Sequence, residues 1–574
     1  MQPKSSSQQL RQSGSALALT MVMTGIALAI LASAMSWSAN STRLTHRAIQ
    51  YNRSVAAAEA ATEKVVSRMT RDFLTGGDKL VVDNLASYRT NVPNTADSSY
   101  WSRWEFNNAS GQTGRTFVQS GGLTNYVILN STYSGLRAFV STYQVVSHAR
   151  DTASLQNVEA GVFQEVQLAR IPVFQFAMYG SSDMEISCGQ PFTITGRVHA
   201  NNHLYVEPDN TMTFQSDVTA VAAILFQRHP LDTRGAPSGS AVYQHPELKV
   251  SPVSAMTLPI GTTNTPEAIR EIVQLPAAGE DANSPLGRLR YYNQVDMILV
   301  VSNSGVSATS GRANNFATSV PTSELAGMIT TTNNFYDARE EKTVRPVDVN
   351  VGLLAEWSRT NSNVGSISSI YVVDRRTLAG TELGAVRVRN GQSLPAKGLT
   401  VATARPLYVW GNYNQTNSAN LGTTNTTTTR PASLVADAVT LLSTNWSDAN
   451  STNSLSSRSA KPTTVNAAIL TGVVETTSGK YSGGMENFPR FLESWGSANT
   501  LTYNGSMVKM FPSLYATNAW GKSGVYDPPK RNWAYDLSFN DATRLPPLTP
   551  SLLKVFRGQW ATVSPGHNTM AALP

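Results

Sequence analysis

Cysteine is nearly absent from this chain: Cys188 is the only one in 574 residues, so no disulfide can form within it. Periplasmic or surface proteins need not carry disulfides, so that location stays open. Charge is scarce as well, with 14% of residues Asp, Glu, Lys or Arg and a net charge of +7. Lys and Arg are scattered singly, without the basic stripe and interleaved aromatics of a nucleic-acid surface, and no nucleic-acid partner is expected. No Gly-x-Ser-x-Gly elbow, His-Glu-x-x-His or P-loop occurs, so standard hydrolase and nucleotide signatures are missing. What is plentiful is Ser, Thr, Asn and Gly, with 28 Pro spread along the chain. That balance predicts β-rich, turn-rich folding over several domains.

One long uncharged run stands apart. From Gln12 to Thr42 there is no charged residue, and Ala16 to Trp37 is mostly Ala, Leu, Ile, Met and Val. About 20 apolar residues at about 1.5 Å each cross a hydrocarbon core. A secretory signal has an apolar core of only about 7–15 residues, although Ala32-Ser33-Ala34 resembles a weak cleavage site. Downstream, Leu44, Ala48, Tyr51, Val55, Ala58, Thr62, Val65, Met69 and Phe73 recur at steps of four and three, making one apolar seam on a helix. No Pro or Gly interrupts residues 26–75, and Gly76-Gly77 is the expected stop. The pattern predicts one long helix, first in lipid and then amphipathic.

The order "RQSG" then "SALAL", followed by "YNRSVAAAEAATEKV", resembles the N-terminal region of PilX-type minor pilins and minor pseudopilins. The resemblance covers about 60 of the 574 residues. It implies cleavage by a prepilin peptidase between Gly14 and Ser15, methylation of Ser15, and packing of the helix with other pilin subunits. Major pilins carry a glutamate at the fifth mature position, where this chain has Leu19. A carboxylate in lipid is costly without a partner, so its loss fits a subunit at a filament tip. Basic residues lie on both sides of the span: Lys4 and Arg11 before, Arg43, Arg47 and Arg53 after. Loop charge therefore does not fix topology. An inner-membrane, single-pass protein with its C-terminal part periplasmic or on the surface is expected from composition and the resemblance.

The expected fold class is α+β: the long helix, then a large mainly-β head built as a β-solenoid or a β-sandwich. The organisation read from the sequence is a leader (1–14), helix (15–75), small β-rich collar (76–180) and a β-rich head in two parts (181–350 and 351–574). Within the head, "FTITGRVHANNHLYV", "LYVWGNYN", "AAILTGVVET" and "LTYNGSMVKMF" each place Gly inside a β-branched or aromatic run, the mark of a bend or bulge. Their irregular spacing defines no repeat. Two polar stretches, 414–431 and 443–464, read as exposed loops. Residues 265–275 read as a helix capped by Thr265. Phe488, Phe491, Leu492 and Trp495 fall at helical spacing in "YSGGMENFPRFLESW" and read as a core stripe.

Candidates for chemistry are few. His199 and His203 lie close in sequence to Cys188, Asp183 and Glu185, all metal-ligating types. On an extended strand, residues four apart lie about 13 Å from one another, so only a tight turn at "ANN" would join them. No metal, cofactor or catalytic residue is therefore assigned. Glu340-Glu341 and Asp374 with Glu382 are the carboxylate pairs that glycoside cleavage would need; exposed acids are the default. The charged segment 334–350 reads as a surface strand or a subunit contact. The preferred reading is a non-enzymatic minor pilin-like subunit with a head for tip assembly or adhesion. Its partners would be other pilins, the prepilin peptidase, the inner membrane and a surface or glycan ligand. The alternative is a membrane-anchored carbohydrate-binding protein or glycan-active enzyme on a β-helix. A bitopic envelope protein whose helix never leaves the membrane is the third.

Overall fold

The computed structural model describes residues 15–130, 133–311, 318–361 and 364–566. Helix α1 (Ser15–Asp83) is one long rod with a break at Gly77, whose backbone (φ 69°, ψ −164°) is reserved for glycine. The expected stop is thus a kink, after which the helix continues to Asp83. Residues 15–49 are exposed throughout, and burial begins at Ser54. Of the predicted seam, Ala58, Thr62, Val65, Met69 and Phe73 are buried, whereas Leu44 and Tyr51 face solvent.

The buried half lies on an antiparallel sheet. Its strands are β1 (Trp104–Asn107), β2 (Phe117–Ser120), β3 (Asn125–Ile128), β4 (Arg137–Asp151) and β5 (Glu159–Pro172). β4 pairs with β1, β2, β3 and β5, and the C-terminal strand Ser551–Val563 pairs with the free edge of β5. Small residues decide the upper contact: Ala57, Ala58 and Ala61 let the helix approach Trp104, Phe106, Ala149 and Val162. Lower down, Val65, Met69 and Phe73 pack on Tyr143, Val145, Val166, Leu168 and Leu553. Ser54 Oγ donates to Val158 O at 2.8 Å, and Arg557 of the last strand pairs with Glu63 through Nη2 at 2.8 Å. The helix is therefore clamped by chain from both ends of the head.

Beyond β5 the chain winds into a parallel β-solenoid, which resolves the choice between solenoid and sandwich. Three coils have a twenty-residue period: Met178 pairs with Val198 and Val198 with Val218, while Met184 pairs with Leu204 and Leu204 with Ile224. The inward residues of these short strands, such as Ala200, Val206 and Phe214, are buried. The sequence contains this period, but an excursion at 226–239 separates the third coil from its last strand, Ser240–Tyr243. The chain then crosses to the far end of the solenoid. On the way Thr265 caps a short helix, Pro266–Arg270, by accepting from Ala268 N.

The return path uses longer coils. Met297–Ser302, Ser369–Asp374, Leu399–Ala402, Ala432–Ala436, Ala468–Val473 and Met507–Pro512 stack in parallel, and the last lies beside Met178–Gly180. Two further faces are Lys342–Asn350 to Val439–Leu442, and Thr463–Asn466 to Lys530–Tyr535. A division at residue 350 falls inside this stack, since Lys342–Asn350 pairs with Glu382–Arg389. The glycine-marked runs sit where predicted, at bends: Gly472 is at a bulge, and Gly411 (φ 82°) directly follows Leu407–Trp410.

Candidate functional site

The first candidate is the exposed half of α1. Its apolar side chains, among them Leu17, Met21, Ile26, Leu28, Leu31 and Trp37, are more than half exposed on all sides of the rod. A helix apolar all round and unburied by its own chain is built for lipid or for other helices. It is long and apolar enough to cross a membrane. Gly14 lies outside the described residues, Ser15 is the first of them, and Leu19 is exposed.

The histidine candidates do not meet as a metal site. The "ANN" turn is a solenoid corner between Val198–Ala200 and Leu204–Val206. It sends His199 into the core and leaves His203 partly exposed. His199 Nδ1 lies 2.8 Å from Thr219 Oγ1 and Nε2 lies 3.0 Å from Asn201 Oδ1, with Tyr179 stacked on the ring. Both ring nitrogens are thereby engaged, and burial pulls the imidazole down to about 4. His203 instead meets Asp183, Glu185 meets Thr476, and Cys188 is a buried thiol pushed up to about 11, mainly by burial. Among the described residues no group of three or more His, Cys, Asp or Glu side chains is arranged to hold a metal.

Each carboxylate of the two pairs is held by a cation. Glu340 is buried and accepts from Arg490 Nη1 at 2.7 Å, whereas Glu341 is exposed beside Lys522. Asp374 is held by Arg376 at 2.8 Å and Glu382 by Arg345 Nε at 2.6 Å. The charged segment 334–350 is consequently not a surface strand. Asp348 within it is fully buried, and Arg387 bridges it to Asp448 with distances of 2.5–3.0 Å.

Two other expectations need adjustment. The polar stretches 414–431 and 443–464 are mostly exposed, as read, but they carry buried anchors: Asn414 is buried and bonds to buried Asn466 of the next coil, which in turn meets buried Asn504. Asn414 Nδ2 donates to Asn466 O at 2.9 Å, and Asn504 Nδ2 to Asn466 Oδ1 at 2.8 Å. Side-chain amides there satisfy backbone that apolar residues could not. Phe488, Phe491, Leu492 and Trp495 are all buried, as a core stripe requires, but in irregular backbone after a single 3₁₀ turn, Met485–Asn487. Packing from several coils, not helical periodicity, gathers them.

A cleft of about 500 Å³ opens at the corner where the short and long coils meet. Loops between strands supply its walls: Arg234, Tyr481, Glu486, Trp520 and Tyr526, with Arg531 from Lys530–Tyr535. Arg234 lies 3.6 Å over the Tyr481 ring, and Trp520 meets that ring edge-on at 5.4 Å. Trp520 Nε1 donates to Tyr526 Oη (2.8 Å), which donates to Asn487 Oδ1 (2.7 Å). Glu486 Oε2 accepts from Ser187 N at 2.9 Å, and burial pushes this carboxyl up to about 8. Tyr481 is 7% exposed, and its hydroxyl has no hydrogen-bond partner among the described residues. Sequence reasoning missed this cleft because its residues are spread over three loops; the aromatic- and Pro-rich character of 481–535 was the available signal.

No protein-family model and no curated protein matches the chain. Among solved structures, the competence-associated pilin ComZ from Thermus thermophilus is similar at 11% identity, covering 90% of this chain and 97% of that one. The TM-score is 0.28, a superposition too loose to assign fold or function to this chain.

Proposed function

We propose that the chain is a minor pilin-like subunit. Its exposed N-terminal helix anchors it in the inner membrane and then packs with other pilin helices, and its solenoid head is displayed for tip assembly or adhesion. The observation that carries this reading is the division of α1: residues 15–49 are wholly exposed and apolar-rich, while 54–73 are locked onto an antiparallel sheet. A rod of about 55–60 Å ahead of the clamp can change surroundings, from lipid to neighbouring rods, without disturbing the head. Leu19 in place of a buried acid supports a position with no subunit ahead of it. The head acts by contact, not catalysis: each carboxylate pair weighed for glycan cleavage is tied to its own cations.

The test is mass spectrometry of the chain extracted from membranes of a cell with an active prepilin peptidase. An N-methylated Ser15 at the mature end is expected; an end at Met1, or beyond Ala34, overturns the proposal. Cross-linkers placed at Leu28 or Trp37, both exposed, should capture other pilins. Ala58 is unsuitable, because it is buried against the head.

A further inference from the structure

We infer that the corner cleft is a binding site for a neutral oligosaccharide, with Trp520 as its aromatic wall and Tyr481 Oη, Glu486 and Arg531 as its polar floor. The inference does not depend on the fate of the helix.

The cleft's size, about 500 Å³, lies within the roughly 300–1,000 Å³ of small-molecule sites. Its most telling group is the Tyr481 hydroxyl, nine-tenths buried and without a partner among the described residues. A buried hydroxyl left so costs about 1–3 kcal/mol, an arrangement that a ligand oxygen would relieve. Gly484 is required beside that hydroxyl: a Cβ there would collide with both Tyr481 Oη and the Glu486 carboxyl. Hydroxyl and carboxyl therefore converge on this glycine at the wall of the cleft.

Charge then selects the ligand. Arg234 is matched by Asp232 at 2.7 Å, Asp209 by Arg228 at 2.7 Å, and Lys522 by Glu341. That leaves Arg531 and Glu486, one of each sign, so the cleft holds at most one unmatched charge whether or not Glu486 keeps its proton. Phosphate chains and polyanions need several unmatched cations. A purely apolar ligand would leave the Tyr481 hydroxyl without a partner. A sugar ring meets both demands: its C–H face covers an aromatic wall, and its hydroxyls lie in the plane of the polar groups. The Trp520 wall is set in advance, since its hydrogen-bond chain through Tyr526 to Asn487 fixes the ring.

The test applies the full chain in detergent micelles to an array of neutral hexose and N-acetylhexosamine oligosaccharides, with sialylated and sulfated ones alongside. The best-bound neutral oligosaccharide is then titrated calorimetrically into the parent chain, Tyr481→Phe and Trp520→Ala. Binding to neutral oligosaccharides is expected. Tyr481→Phe should weaken it about tenfold, the worth of one hydrogen bond, with no fall in melting temperature because no protein partner is lost. Trp520→Ala should abolish measurable binding. The proposal is overturned if no neutral oligosaccharide binds, if the acidic ones bind best, or if Tyr481→Phe binds as the parent does. Should Trp520→Ala fail to fold, the Tyr481→Phe result decides alone.

Discussion

Met507 pairs with Met178 in a parallel ladder, joining the last long coil to the first short one. The solenoid is thus closed by its own two ends: it starts in the middle, winds out, crosses over and returns. The seam is tight, since Ser506 is fully buried and its Oγ donates to Phe176 O at 2.5 Å. One residue earlier, a Cβ on Gly505 would collide with the Ala467 carbonyl. Gly505→Ala should cost about 1–3 kcal/mol, as overpacked cores do, measured by urea unfolding. Ser523→Ala, at an exposed position, should leave the midpoint unchanged.

Arg387 should be the costliest single cation to remove. It is fully buried, bound by Asp348 and Asp448, and lies 4.8 Å from the Trp410 ring centroid. Arg387→Met leaves Asp348, itself without exposure, as an uncompensated buried charge, an effect of about 3–5 kcal/mol. Arg387→Met combined with Asp348→Leu should recover most of that loss. Equilibrium unfolding of both variants checks the difference; equal stability would show that Asp348 does not carry the penalty.

Legibility in the sequence followed the range of the interactions. The helix seam was readable because residues such as Val65, Met69 and Phe73 are three or four apart and share one face. The capped turn at Thr265 was readable for the same local reason. The α+β class and the glycine bends were also local signals. The solenoid's closure was not, because Met178 and Met507 belong to segments that no periodicity connects. Polar composition read 414–431 as exposed, which holds for most of it; Asn414 is an exception, because its amide bonds to the backbone of the neighbouring coil. Likewise Glu340 looked like a surface acid because its partner, Arg490, is supplied by a distant coil.

Two buried groups, His199 and Glu486, should shape the pH dependence of stability with opposite signs. Burial lowers His199 to about 4, with Lys554 acting in the same direction, against about 6.5 in the unfolded chain. Between those values the unfolded state binds the extra proton, so stability drops as pH falls, on the order of 3 kcal/mol by pH 4. Burial raises Glu486 to about 8 from about 4.5. There the folded state holds the extra proton, so stability drops as pH rises from about 4.5 to 8. Between about pH 4.5 and 6.5 the two slopes oppose each other, so melting temperatures across pH 4–9 are read as the difference between each variant and the parent. His199→Gln should remove the acid-side contribution of that residue, and Glu486→Gln only its share of the alkaline loss, since burial also raises Glu207 to about 8 and Glu493 to about 7; a profile unchanged from the parent in either variant refutes that assignment.

Two substitutions on α1 should separate anchoring from head packing. Leu28 sits in the middle of the uncharged run and is exposed along the rod. Leu28→Arg places a charge at the centre of the span, at about 2.5–3.5 kcal/mol for the arginine itself, and should move much of the chain out of the carbonate-resistant membrane fraction. Ala58 lies in the cluster with Trp104, Phe106 and Val162, with no exposure. Ala58→Leu should leave membrane extraction unchanged, while forcing the helix off the sheet and lowering the head's stability by about 1–3 kcal/mol. Leu44→Arg, beyond the uncharged run and exposed, should do neither. If Leu28→Arg stays fully membrane-bound while Leu44→Arg is released, the anchor lies further along the rod than residues 16–37.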